Sequence, residues 1–366
     1  MTDLHRPSPQ LPDWGAAGTE RGSHRRPNRA GAHRIGNEAG RRPRRYYPIS
    51  EILHMPDLPA PRKAVPASGW RRLVYAASFH GINAGQSPLE QHVRALRDKI
   101  GQRMDKNLVI GVVSGKGGVG KTTMTTCIGG IFRECRSDNV VAIDATPGFG
   151  TLADRIDTRS PDGYTAPITK IDVRGYTDIR EHLGHNNIGL DVLSGNRTSD
   201  QPRPLLPSML NEAVARLRRT HQVVLIDTSD NLEHPVMKAV FHSCDALIFV
   251  SGLTGDTALP VARSIDLLRA LDYDDLLARS MVILNNSRNH ATPNARRYLT
   301  DLFTEAEIHA EYVPYDPHLA HGGIIDTQSG LRPQSRLQLF EIAAMLADQH
   351  VRKSDRPESV IAPPRD

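Results

Sequence analysis

At 366 residues and 40.4 kDa, with 39% apolar, 5% aromatic and 24% charged residues and a mean hydropathy of -0.42, the chain has the composition of a soluble globular protein carrying some material that forms no core. No run approaches the roughly 18 consecutive apolar residues that cross a bilayer, and the amino terminus has no apolar stretch of signal-peptide type, which argues against a membrane-spanning or exported protein and predicts a cytoplasmic one. The net charge of +5 is unevenly placed: residues 1–65 hold 12 Lys+Arg against 6 Asp+Glu, a net +6, and the remainder is close to neutral at -1.

Those first 65 residues also hold nine of the 26 prolines and runs such as Arg41-Arg42-Pro43-Arg44-Arg45. They show no helical or strand periodicity, so they bury too little apolar surface to offset chain entropy, and disorder is expected there. An arginine-rich tail suits nucleic acid, anionic lipid or an acidic protein face, or it is a solvated extension without a specific partner. From residue 66 to 106 an ordered adaptor is expected. Ser87 with Glu90 three residues on forms a capping box, and Leu89, Val93, Leu96 and Ile100 give the following helix an apolar stripe.

Leu108-Val109-Ile110-Gly111-Val112-Val113 reads as a buried parallel strand. Directly after it, Gly115-Lys116-Gly117-Gly118-Val119-Gly120-Lys121-Thr122-Thr123 satisfies the pattern G-x-x-x-x-G-K-[ST], and Met124, Ile128, Ile131 and Phe132 then recur at helical spacing. Glycines in such a strand-to-helix loop let successive amides converge on phosphate oxygens, and the helix terminus adds partial positive charge. The pattern predicts a nucleotide site in which Lys121 reaches the β and γ phosphates and Thr122 supplies a hydroxyl to Mg²⁺.

Two later strands end in carboxylates. Val140-Val141-Ala142-Ile143-Asp144 and Val223-Val224-Leu225-Ile226-Asp227 bring an acid to the carboxyl edge of a parallel sheet, Asp227 as the Mg²⁺-side acid and Asp144 reaching the metal through water. Strands are predicted at 108–114, 139–144, 188–193, 222–227, 245–251, 280–285 and 308–313. Helices are predicted at 121–135, 177–184, 205–220, 234–243, 256–272, 293–305 and 333–351. This alternation predicts an α/β fold, a mostly parallel sheet with helices on both faces and a ligand at the strands' carboxyl ends, and the Gly115–Thr123 pattern makes it one of the P-loop NTPase type. The expected division is a disordered basic tail at 1–65, the adaptor at 66–106, a nucleotide-binding domain at 107–351 and a flexible tail at 352–366. Cys127, Cys135 and Cys244, odd in number and without Cys-x-x-Cys spacing, predict neither a disulfide framework nor a zinc site. The pairs His182/His185 and His318/His321 offer no third ligand, so they read as surface or loop residues.

The stretch Lys116 to Thr123 resembles the deviant Walker A box of the MinD/ParA ATPases, which carries an extra lysine, and the similarity runs over about residues 107–350. It implies ATP and Mg²⁺ as ligands, ATP hydrolysis, and closure of two subunits face to face with Lys116 reaching the partner's phosphates. It also implies that Asn285 or Asn286, at the end of a strand, pairs with the adenine edge, and that the loop holding Pro314 flanks the base. More narrowly, the Arg/Pro-rich tail, Gly69-Trp70-Arg71-Arg72 and the element Ile82 to Ser87 resemble MinD-like proteins associated with mycobacterial type VII (ESX) secretion. That resemblance implies protein partners in a secretion machine, met through the tail, and recruitment to the inner face of the membrane by a partner.

Within the resemblance one departure stands out: family members that hydrolyse ATP carry a second aspartate two positions after the first, and Asp144-Ala145-Thr146 puts threonine there. A hydroxyl cannot supply a carboxylate's charge near neutral pH, so hydrolysis is expected to be slow unless another group, such as Asp230, positions the water. A nucleotide-gated scaffold with negligible turnover and a DNA-positioning ATPase are the alternatives. The near-neutral charge of residues 66–366 argues against the latter. Pro357, Pro363 and Pro364 interrupt the carboxyl end, which argues against direct membrane insertion.

Overall fold

The computed structural model describes residues 88–147, 150–157, 173–195 and 205–354, all within the unit Tyr46–Asp366. The expected disordered tail, residues 66–87 of the adaptor with the Ser87 cap, and the chain beyond 354 lie outside the described residues. Helix α1, Pro88–Ile100, comes first. Of its predicted apolar stripe, Leu96 and Ile100 are buried, Val93 is half-buried and Leu89 is exposed.

The domain that follows runs through strand β1 (Leu108–Val113), helix α2 (Lys121–Cys135), β2 (Val140–Ala145), α3 (Leu152–Ile156), α4 (Tyr176–Arg180), β3 (Gly184–His185), β4 (Asp191–Leu193), α5 (Pro207–Leu217) and β5 (Val223–Thr228). It continues with α6 (Val236–Ser243), β6 (Ala246–Ser251), α7 (Gly255–Ala270), α8 (Asp274–Leu277), β7 (Met281–Asn285), α9 (Pro293–Glu305), β8 (His309–Val313), α10 (Pro317–Ala320) and α11 (Pro333–Ser354). The eight strands form one sheet in the order β3-β4-β2-β5-β1-β6-β7-β8, parallel throughout except for β3 against β4. All seven predicted strands are present.

Burial on both faces explains the continuous β-branched runs. Alternate residues of β1 and β5 feed two cores. Val109, Val113, Val224 and Ile226 meet helices α4 to α9, and Leu108, Ile110, Val112, Val223 and Leu225 meet α1, α2, α3 and α11. Helix α1 joins the second core. Arg97 pairs with Glu134 of α2 and lies over the Phe340 ring of α11 at 5.1 Å, while Arg336 approaches the same ring at 4.9 Å and reaches Glu134 at 2.5 Å. Cys127 and Cys244 are buried thiols, Cys135 is half-buried, and burial pushes the Cys127 thiol up to about 12.

The helix expected at 177–184 ends at Arg180, and the strand expected at 188–193 shrinks to Asp191–Leu193. Gly189 takes φ 83 and donates to the Asn186 carbonyl at 3.1 Å, which turns the chain so that Gly184 and His185 pair back on Val192 and Asp191. Helices α3, α8 and α10, of four or five residues, are too short for a periodic signal. Among the described residues no helix is long and apolar enough to cross a membrane.

Candidate functional site

Strand β1 lies between β5 and β6, so its carboxyl end delivers the loop Ser114–Gly120 to the middle of the sheet's carboxyl edge, where α2 begins. The loop turns through Gly118 at φ 75 and Gly120 at φ 99, backbone angles that a side chain resists. Its ends are tied: the Lys116 amide donates to Ser114 Oγ at 3.2 Å, and the Met124 amide to the Gly120 carbonyl at 2.9 Å. Lys121 Nζ turns back along the loop to the Lys116 carbonyl at 3.4 Å. Burial lowers its pKa, and the nearby Asp227 and Asp230 carboxylates oppose that shift.

Asp144 and Asp227 are register partners on the neighbouring strands β2 and β5, so both carboxylates point to the face that carries α2. Asp227 accepts the Thr122 hydroxyl at 2.7 Å and the Thr125 hydroxyl at 3.1 Å. Asp144 accepts the amides of Thr146 at 3.0 Å and Leu152 at 3.2 Å. Both acids are almost fully buried. Desolvation raises both pKa values, that of Asp227 to about 7, with the Asp144 charge adding to the effect. A buried acid beside a threonine hydroxyl is an oxygen-only donor set that suits Mg²⁺.

The other expected site residues spread around this centre. Asn285, at the end of β7, donates its amide to the Val119 carbonyl at 2.8 Å and so braces the phosphate loop from below. Asn286 is joined to the β8 side: its amide donates to the Tyr312 hydroxyl at 3.1 Å, its backbone amide to the Val313 carbonyl at 3.0 Å, and Pro314 follows half-buried. Lys116 stands half-exposed on the rim, its ammonium 2.6 Å from Asp256 at the start of α7. Neither Asp256 nor Arg155 was singled out from the sequence. Arg155, almost fully buried, donates to Thr123 Oγ1 at 2.9 Å and to the carbonyls of Gly323 and Leu319, tying the segment after Asp144 to the loop helix. Asp256 carried a signal, an acid in the first turn after a strand's carboxyl end; Arg155 had none, since its partners are distant in sequence. His318 serves the fold, its Nε2 accepting the Asp326 amide at 2.9 Å.

Gly120→Ala tests this geometry. A β-carbon there would stand 2.4 Å from Asn285 Nδ2, so alanine both strains φ and expels the amide that holds Val119. The expected loss is about 2 to 4 kcal/mol of folding stability, read by urea unfolding.

Residues 110–323 match the CobQ/CobB/MinD/ParA nucleotide binding domain family, CbiA. The chain is 29% identical over 298 residues, 80% of its length, to the ESX-1 secretion-associated protein EspI of Mycobacterium tuberculosis, and it spans 44% of that relative's length. Its fold is similar to that of the septum site-determining protein MinD from Pyrococcus horikoshii, a structure complexed with Mg-ADP, with TM-score 0.51 and 18% identity over 68% of this chain and 98% of that one. A ParA family ATPase from Chlorobium tepidum gives TM-score 0.50 and 18% identity over 66% and 98% of the two chains. The family match covers more than half of the chain and contains the whole phosphate loop with both strand-end acids, and the chain therefore belongs to the CobQ/CobB/MinD/ParA nucleotide-binding family.

Proposed function

We propose that the chain is a MgATP-dependent, slowly hydrolysing switch that dimerises on ATP and acts on a protein machine of type VII secretion. The observation that carries the reading is the pairing of Thr122 with Asp227, a carboxyl whose pKa burial raises, directly beneath a loop of phosphate-binding pattern. In this reading the amides of 115–123 and Lys121 bind the phosphates, Thr122 and Asp227 hold Mg²⁺ with Asp144 behind them through water, and Asn285, Asn286 and Pro314 border the base. Mg²⁺ supplies charge neutralisation for the phosphates. The likeness to a secretion-associated relative supports the type VII link, and the basic tail at 1–65 is proposed to meet the partner, in the cytoplasm or at the inner face of the membrane.

Lys116 is the residue proposed to cross to the second subunit's phosphates. Its ion pair with Asp256 competes with that crossing. Both side chains are substantially exposed, so the pair is weak and exchangeable. Asp256→Asn should therefore lower the ATP concentration at half-maximal dimer by about threefold, and Lys116→Ala should abolish the dimer, both read by light scattering. The proposal as a whole is tested by mass and phosphate release together with ATP, with ADP and without nucleotide. A doubled mass only with ATP and slow phosphate release support the switch. Dimer formation without measurable release would favour the nucleotide-gated scaffold, and one unchanged mass in all three conditions would remove dimerisation from the account.

A further inference from the structure

Among the described residues, Asp144, Asp227, Asp256 and Asp230 bring carboxylates from the ends of β2, β5 and β6 to the surroundings of the phosphate loop, and the first three of these are committed. Asp144 takes two backbone amides, Asp227 takes two threonine hydroxyls, and Asp256 takes Lys116 and the Thr254 hydroxyl. Thr146, which stands where a water-orienting acid is expected, turns inward, with its amide and hydroxyl both bearing on Asp144. The fourth carboxylate, Asp230, is exposed and makes no hydrogen bond or ion pair with any described residue.

Its position is fixed by the turn that bears it. Thr228 anchors the start of that turn by donating its hydroxyl to the Val112 carbonyl at 2.8 Å, at the end of β1. Ser229 Oγ accepts the Asn231 amide at 3.3 Å, and Asn231 Oδ1 accepts the Glu233 amide at 3.0 Å. The result hangs Asp230 over the phosphate loop: a β-carbon on Gly117 would stand 2.9 Å from Asp230 Oδ2. The same carboxylate lies within electrostatic reach of Lys121, the lysine at the inner end of the loop. An acceptor so placed, beside the loop of phosphate-binding pattern and without a hydrogen-bond partner among the described residues, has the chemistry to order a water for in-line attack.

We infer that Asp230 is the water-orienting carboxylate of this chain, taking the role that Thr146 leaves unfilled. The inference rests on the ATP-hydrolysing reading above. Asp230 accepts a hydrogen bond from the water, whose oxygen then bonds to the γ-phosphorus. The bridging phosphorus–oxygen bond breaks with its electron pair remaining on ADP. One water proton stays on the inorganic phosphate as its hydroxyl, and the other passes to solvent. Because the side chain is exposed and bears no structural hydrogen bond, replacing it should not unfold the protein.

The test uses the full chain with Asp230→Asn, Asp230→Glu and Thr146→Ala, and measures MgATP affinity by calorimetry and hydrolysis by single-turnover phosphate release. Asparagine removes a negative charge from beside the phosphates, so affinity should hold or tighten by a few fold while the single-turnover rate falls by about 10²-fold. Glutamate should recover part of that rate. A merely structural role would lower affinity and rate together, and that result would overturn the assignment. It would also fall if Asp230→Asn kept its rate, or if Thr146→Ala lost the turnover that Asp230→Asn retained. Failure of the wild-type chain to bind MgATP would defeat the nucleotide reading itself, whereas binding without any hydrolysis would defeat Asp230's role and leave the binding site standing.

Discussion

Lys121→Ala should lower ATP affinity by about 10²- to 10³-fold, the usual loss when one partner of a buried, hydrogen-bonded charge pair is removed. Lys121 sits between the loop carbonyl of Lys116 and the carboxylates of Asp227 and Asp230, and burial already lowers its pKa. Its ammonium is thus partly stripped of water before any phosphate arrives, so little further desolvation opposes binding. The fold should survive, because Lys121 opens α2 and packs no core, while Met124, Ile128, Ile131 and Phe132 hold that helix to the sheet. Calorimetry on the variant reads the affinity, and far-UV circular dichroism checks the fold. A loss of only a few fold would mean that the lysine does not meet the phosphates.

Asp227→Asn should do two opposite things: stabilise the chain in the absence of nucleotide and remove the dependence of ATP affinity on Mg²⁺. The Asp227 carboxyl is raised to about 7 from its ordinary value near 3.8. Between those two values the folded chain holds a proton that the unfolded chain has released. Folding stability is therefore highest below the unfolded value and is lost as pH rises through the folded one. At pH 8 the full cost of a buried carboxylate is present. Asparagine carries no such charge, and its amide can still meet the hydroxyls of Thr122 and Thr125, one as acceptor and one as donor. Thermal melts without nucleotide should show the variant above wild type at pH 8 and level with it at pH 4, with a residual slope from Asp144, whose pKa is also raised. In the presence of ATP, added Mg²⁺ should raise the wild-type melting temperature far more than that of the variant. Equal magnesium dependence in the two proteins would place the metal elsewhere.

The sheet was legible because its interior strands are covered on both faces, and a strand with two apolar surroundings becomes a continuous run of β-branched residues such as Leu108 to Val113. The phosphate loop was legible because its residues are contiguous. Asp144 and Asp227 could be read as a pair because each closes such a run, and pairing of the two strands then sets them side by side. What escaped the sequence joins residues far apart. Asn285 to Val119 spans 166 positions, Lys116 to Asp256 spans 140 and Arg155 to Thr123 spans 32. No local period encodes such contacts; they arise only when the sheet order sets β6 next to β1 with β7 beyond it on one side, and β5 with β2 beyond it on the other. The β3–β4 hairpin escaped for a different reason: two paired residues on one side of a glycine turn are too few to alternate.

The same geometry bears on how the proposed hydrolysis could proceed with threonine at position 146. Positions 146 and 230 follow the neighbouring strands β2 and β5, whose ends the sheet sets side by side, so under the proposal above a carboxylate at either position would serve the same water. Exchange of one carboxylate for the other across adjacent strands requires no change in fold.

Every role proposed above depends on the amides of residues 115–123 gripping a polyphosphate. That grip is tested most directly by isothermal calorimetry of the full chain with ATP at millimolar Mg²⁺. Saturable heat at one site per chain is expected, greatly reduced by Lys121→Ala and weakened when Mg²⁺ is chelated. Absence of heat with ATP and GTP alike, from a chain shown by circular dichroism to be folded, would contradict it.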